Sequence, residues 1–498
     1  MKTLSVAYLP LDERPCNYCF AQRIAKGSPV RFIKPTPDVL GEKKKPADFS
    51  KVENFLSDSA AKAQYLILSL DMLLYGGIVP SRLHNLSEEQ LTKRLDVLNK
   101  IKCINPSLKI YAFALIMRCP GYSSDDEEPS YYKTCGREIF LTGQALHKKQ
   151  LGILTSQEEI LLEEYQNKTA QYLDDYLKRR AVNRKMLVKA IGQLHKTIDF
   201  LVIPQDDSAV YGFTTMDREF IKAEIEKNCF DDVAMYPGAD EVGMTLLARA
   251  VVNHMGVTPK FRCFYAHPNN PEIVPLYEDR PLKDTLPLQI ATAGGVMTEG
   301  DGDINLFLNY PASQPVEATE IPSEGYARRN LTLFCSEIVK SVQEKKVTAL
   351  ADGAYCNGGD LQLLQMLTEK TDFFDLSAYA GWNTSSNTLG TVICQAVFVW
   401  LFGKNRWQNL FLAERLFEDV GYCGYVRKEV TASLKGRYNY FNAGGKNGQV
   451  AKTVKDRLQL FVCKNFPQVA KKYKIARCRM PWKRMFEVDL TARENNEK

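Results

Sequence analysis

The chain has 498 residues, 45% apolar and 25% charged, the balance of a soluble globular protein and too long for one ordinary hydrophobic core, so two or three domains are expected. Its longest apolar stretch, residues 391–403, is too short to cross a bilayer and reads as a buried helix, which excludes a membrane-spanning protein by that measure. The formal charge of +6 is uneven: residues 421–486 hold 16 Lys and Arg against only Glu429 and Asp456, leaving 49 basic and 57 acidic residues elsewhere.

The N-terminal "MKTLSVAYLPLDERP" enters a strand-like run with no signal-peptide core, so a cytoplasmic location is expected. Strand candidates follow at 4–10, 30–34, 65–71, 109–118, 200–205, 233–237 and 261–267. They are continuously apolar, as for strands covered on both faces. Helical stretches such as "SKVENFLSDSAAKA" and "LSEEQLTKRLDVLNKI" separate them, and β-α repetition implies a parallel sheet or barrel. Residues 128–197 break the spacing with a long, charged helical insertion whose Ser156 and Glu159 form a capping-box pattern. It is expected to be a solvated hairpin, with a lid or a homo-oligomer contact as alternatives. A second α/β portion, 286–403, has strand candidates at 288–295, 304–310, 347–352 and 374–381.

The expected fold is therefore α/β with a parallel-sheet core, either a (β/α)8-like barrel or a doubly wound sheet. The main domain spans 1–285, the smaller α/β portion 286–403 and a helical, basic C-terminal region 404–498. That last region has the charge to bind phosphate, nucleic acid or an acidic partner, or to dock on the chain's own acidic body. It carries no recognisable nucleic-acid motif, so nucleic acid is not the expected ligand.

Thirteen cysteines form no regular framework and are expected to be reduced. Cys16 and Cys19 make the one C-x-x-C, the spacing of a redox pair or half a zinc site, but no second pair accompanies it.

The informative residues stand where strands end. The first strand runs into Asp12, Glu13, Arg14 and Asn17, the third into Asp71, Tyr75 and Arg82, and the fourth into Arg118 and the acidic run "SSDDEEP". The fifth gives Asp206 and Asp207, and the sixth Asp240 and Glu241. In the second portion, "ADGAYCNGGD" supplies Asp352 and Asn357, and "YAGWNTSSNTLG" supplies Trp382, Asn383 and Asn387. Parallel sheets bring strand C-termini to one edge, where ligands bind. Any one of these residues serves equally well as a cap or turn, but Arg, Trp and Gln are poor caps, so the set as a whole points to a site.

Its chemistry is carboxylate, amide and guanidinium. No histidine joins it, and no phosphate-binding loop or dinucleotide fingerprint is present, so neither a catalytic triad nor a cofactor is expected. Asp206, Asp207, Asp240 and Glu241 have the chemistry of a hard-cation site, but adjacent carboxylates do not dictate a metal and none is assigned. Carboxylates and amides suit sugar hydroxyls, and a tryptophan stacks on a pyranose face. Two neighbouring acids with separated pKa values supply the protonated and ionised groups that glycoside hydrolysis needs.

The segments "LPLDERPCN", "LDMLLYGGIVPSR", "PQDDSAVYG", "YPGADEVG" and "AGWNTSSNTLG" together resemble a bacterial family catalogued as domain of unknown function 4127, over most of residues 1–400. That resemblance implies no activity. Separately, "GADEV" (238–242) is similar to the Gly-Asp-Glu-Val segment of β-N-acetylhexosaminidases on (β/α)8 barrels. This second resemblance implies Glu241 as general acid and Asp240 as the residue that orients the substrate's acetamido group. The chain departs from that family in placing the pair after its sixth strand rather than its fourth.

The expectation is a hydrolase acting on a small-molecule or oligosaccharide substrate of carbohydrate type, with Glu241 and Asp240 as acid/base pair and Asp206 or Asp207 as alternates. Arg14, Arg82 and Arg118 would hold an anionic group, and Trp382, Asn383 and Asn357 the substrate. The rival readings are a metal-dependent hydrolase or lyase and a non-enzymatic sugar- or polyanion-binding protein.

Overall fold

Two open parallel sheets form the frame of the computed structural model, which describes residues 3–228, 230–320 and 329–495. In the first sheet, β1 (Leu4–Leu9), β2 (Val30–Ile33), β3 (Tyr65–Ser69), β4 (Lys109–Phe113), β5 (Phe200–Val202) and β6 (Val233–Ala234) lie in the order β2-β1-β3-β4-β5-β6. Val6 stands opposite Tyr65 and Tyr65 opposite Lys109. In the second, β7 (Lys260–Tyr265), β8 (Val296–Met297), β9 (Ile304–Asn309), β10 (Val347–Asp352) and β11 (Ala378–Ala380) lie in the order β11-β10-β9-β7-β8. Counted from their own first strands, both sheets share the 2-1-3-4-5 order of doubly wound folds, and β6 extends the first.

The continuous apolar runs are explained by burial on both faces. Helices Val242–Met255 and Ser385–Phe402 pack on each other between the sheets, the former against β1, β3 and β4, the latter against β9, β10 and β11. Their core joins Val6, Phe113, Leu247, Ile393 and Leu306. Helix Ser385–Phe402 is buried nearly all round because it is surrounded, and the window that by composition could cross a membrane is 83% buried within the protein. Helices Phe49–Ala60, Val97–Ile104 and Leu173–Ile191 cover the outer face of the first sheet, and Leu331–Gln343 and Leu361–Thr368 that of the second, while Gln449–Asn465 packs on the segment Leu416–Val426.

Several expectations are corrected. The barrel does not form: β7 pairs with β9 in the second sheet, and the first sheet stays open beyond β2 and β6. Residues 288–295 are not a strand. Their apolar run ends the helix Leu282–Thr292, and a short buried run has no periodicity that separates the two states. The insertion is helical, as Tyr132–Gln150, Ser156–Thr169 and Leu173–Ile191, but its capping box is Thr155 with Glu158, one residue earlier than expected. The C-terminal region is not wholly helical, since β12 (Tyr473–Arg479) and β13 (Asp489–Glu494) form an antiparallel hairpin. Part of its positive charge meets the chain's own acids. Lys446 meets Glu42 at 2.9 Å, and Arg484 meets Asp126 at 3.1 Å and also pairs with Glu127.

Candidate active site

The topological switch point of the first sheet lies between β1 and β3, so the crevice beyond their C-terminal ends is where a ligand site is expected. The segments after β1, β3, β4 and β5 and the residues after β6 meet there around a cavity of about 700 Å³. Arg14, Arg82, Arg118, Asp206, Asp207 and Asp240 line it, with Asn357 and Asn383 from the second sheet's edge.

The wall is built of alternating opposite charges. Arg14 donates from Nη2 to Asp240 Oδ1 at 2.6 Å and to Asp12 Oδ2 at 2.7 Å. Asn17 Nδ2 reaches both carboxylates, at 2.8 Å and 3.1 Å, and Asn383 Nδ2 donates to Asp240 Oδ2 at 3.3 Å. Asn387 Oδ1 accepts the Asp240 backbone N–H at 3.1 Å. Asp12, Asn17 and Asn387 thus hold the wall from behind.

Across the cavity, Arg82 bonds Asp206 at 2.7 Å and Glu127 at 3.0 Å. Arg118 bonds Asp207 at 2.8 Å, the Tyr122 hydroxyl at 2.8 Å and the buried Glu128 at 2.8 Å. The C-terminal hairpin's loop closes the cavity with Arg484 and Phe486, beside Tyr440.

Titration separates these acids. Burial and the adjacent Asp206 push Asp207 up to about 6, against the pull of Arg118 and Arg82. Burial also raises Glu127, but Arg484, Arg118 and Arg82 outweigh it and hold that carboxyl well below its usual range. The Asp207 side chain is 24% exposed, so its proton can reach a ligand.

Backbone strain concentrates here. Asp207, Tyr277, Asn357 and Asn383, all lining the cavity, have φ of 43°, 64°, 58° and 53°. Asp and Asn tolerate the left-handed region through local hydrogen bonds, whereas a tyrosine there is an outlier of the kind that clusters at functional sites. The Tyr277 conformation is held by Ser208 N–H donating to its carbonyl at 2.9 Å and by its own hydroxyl donating to Glu317 at 2.7 Å.

Other expected site residues lie elsewhere. Glu13 turns away and accepts Trp482 Nε1–H at 2.6 Å, beside a second cavity of about 810 Å³ on the far side of Arg14. Asp71 is buried under the edge, accepting Leu115 N–H at 2.9 Å, and burial lifts it to about 7. Tyr75 stacks on His84 at 4.6 Å. Trp382 is no platform on the main cavity: its ring packs edge-on against Phe20 at 5.6 Å and its Nε1–H donates to Thr391. Asp352 belongs to a sealed network at the second sheet's edge, with Asn309, Asp360 and Tyr379.

Glu241 is off the wall as well. It is fully buried at the N-cap position of Val242–Met255 yet makes no side-chain cap bond, and its Oε2 accepts Ala239 N–H at 2.9 Å. With Glu241 facing inward and the three aspartates each paired to an arginine, the four-carboxylate cation grouping does not assemble. No group of three or more His, Cys, Asp or Glu side chains among the described residues could hold a metal ion.

Sequence reasoning singled out neither Glu127 nor Glu128 individually, although both lie in the acidic run after β4, and it missed Tyr122, Tyr277, Arg484 and Phe486. Arg484 and Phe486 had no signal beyond the basic composition of their region. No curated protein and no solved structure matches the chain. The family model described as a protein of unknown function (DUF4127) matches residues 6–491, nearly the whole chain, so the chain belongs to that family.

Proposed function

We infer that the cavity binds a carbohydrate or similarly hydroxyl-rich substrate and hydrolyses it by carboxylate acid/base chemistry in the cytoplasm. The observation that carries the reading is the pair of carboxyl groups on opposite walls of one cavity, Asp207 and Asp240, with Asp207 raised to about 6. In this reading Asp207 is the general acid and Arg118 its positioning partner. Asp240, fixed by Arg14, Asn17 and Asn383, is the second carboxyl group. Asn357 and Asn383 meet substrate hydroxyls, and Tyr277, Tyr440 and Phe486 offer the ring faces that Trp382 does not.

The pair therefore differs from the one that the Gly-Asp-Glu-Val resemblance implies, because Asp207 rather than Glu241 has access to the cavity. The test is a panel of aryl glycosides assayed with wild type, Asp207→Asn and Asp240→Asn. Turnover by wild type, reduced by roughly a hundredfold or more in each variant, supports the reading. Wild-type inactivity on the whole panel overturns it.

A further inference from the structure

Behind the cavity lies a second polar cluster, several of whose oxygens have no hydrogen-bond partner among the described residues. Three pairs of sequence neighbours each send one residue toward the cavity wall and the next into the protein interior: Asp240 and Glu241, Tyr277 and Glu278, Asn387 and Ser386. The inward members meet the helix Leu282–Thr292, whose Thr285 and Gln289 are one turn apart on one face.

Contacts tie these groups to one place. Ser386 N–H donates to Glu278 Oε1 at 2.8 Å, and Gln289 Nε2 donates to the Ser386 carbonyl at 3.2 Å. One turn beyond Ser386, a Cβ added at Gly390 would come within 2.4 Å of Glu241 Cγ. Helices Val242–Met255, Leu282–Thr292 and Ser385–Phe402 pack pairwise around the cluster.

Within it, Glu241 Oε1, Glu278 Oε2, Thr285 Oγ1 and Gln289 Oε1 are all buried without a hydrogen-bond partner among the described residues, and the buried Ser386 hydroxyl has only Glu278 beside it. Native interiors leave few such atoms, and a local concentration of them calls for a water or an ion. Each glutamate accepts one backbone N–H, and neither is bonded to a cationic side chain. The open positions are all oxygens, and two of them belong to carboxylates. That is the donor set of a hard cation; burial raises Glu241 to about 8 and Glu278 to about 7, so a divalent ion would displace their protons, and the two carboxylates would then balance its charge. An enclosed cage of protein oxygens suits calcium better than magnesium, which dehydrates reluctantly.

We propose that Glu241, Glu278, Ser386, Thr285 and Gln289 bind a structural divalent cation of the calcium type, which fixes the rear wall of the cavity. The proposal does not depend on the reaction carried out in front of it.

The test uses the full-length protein, dialysed against chelator and then titrated with calcium or magnesium, with bound metal measured by mass spectrometry and stability by thermal melting. Stoichiometric calcium uptake and a higher melting temperature, with magnesium weaker, are expected. Glu278→Gln should weaken calcium binding by roughly tenfold or more. Thr285→Val, which keeps the side chain's shape, should weaken it as well and serves if Glu278→Gln does not fold. Negligible uptake by wild type with a melting temperature that neither ion moves overturns the proposal and assigns the cluster to water. Uptake unchanged in both variants also overturns it, since the ion then sits elsewhere.

Discussion

The two sheets share a strand order but not the fate of their C-terminal edges. At the first edge Asp206 and Asp207 keep 17% and 24% of their side chains exposed and face a cavity. At the second, Asp352, Asp360 and Arg329 are as rich in charge, yet they are sealed. Asp352 accepts from Asn309, Tyr379 and the Asp360 backbone, while Asp360 pairs with Arg329 at 2.7 Å. The difference lies in what covers each edge. Over the second runs the π-helical segment Leu416–Val426, whose Asp419 accepts the N–H of Gly381 at 2.8 Å and, through its carbonyl, that of Gly359 at 2.9 Å. Over the first stands the hairpin loop with Arg484 and Phe486, which leaves a hollow. Polar residues after parallel strands mark an edge; the covering element makes it a site or a brace.

The widest test of this contrast is catalytic. Asp207→Asn should lower kcat/KM by about 10²–10⁴ on any substrate the wild type turns over. Asp352→Asn, if folded, should leave kcat/KM close to wild type, and a loss there would move the site to the second edge. Next in size is stability. Asp360→Ala leaves Arg329 buried and unpaired and should cost about 3–5 kcal/mol in denaturant unfolding. Asp206→Ala should cost clearly less, because Arg82 keeps Glu127 and Glu128 as partners.

Asn383→Gly suits the left-handed backbone and should change stability by less than about 1 kcal/mol. Losing the bond to Asp240 should still lower kcat/KM by roughly tenfold. Asp71 supplies a pH signature. Burial raises it to about 7 in the folded protein, against about 4 when unfolded. Its contribution to stability is complete below about pH 4 and is lost as pH rises through about 7. Melting temperature should fall over that window, and Asp71→Asn should flatten the fall. The smallest effect belongs to Lys446→Ala at the exposed pair with Glu42, which should change unfolding free energy by under about 0.5 kcal/mol.

The strands of the first sheet were legible because their apolar runs are interrupted by helices of ordinary length, and so was the convergence of Arg14, Arg82, Arg118, Asp207, Asp240 and Asn383. Which member of an acidic pair faces the ligand was not. Asp240 and Glu241 are adjacent and chemically alike, and the backbone turn alone sends one outward and the other into the interior. Trp382 misled for a related reason, since its ring finds Phe20 in a core whose position depends on helix packing.

By itself, then, the sequence determined the α/β class, the parallel edge and the kinds of side chain gathered there, because strand burial and strand-end polarity are local patterns. Tertiary structure alone decided that the strands divide between two sheets rather than closing a barrel, that a C-terminal hairpin bounds the cavity, and that the acids of the first edge face a hollow while Asp352 and Asp360 of the second are sealed. Those outcomes depend on strand partners and covering elements distant along the chain, and no periodicity within a segment records which distant segment will lie upon it.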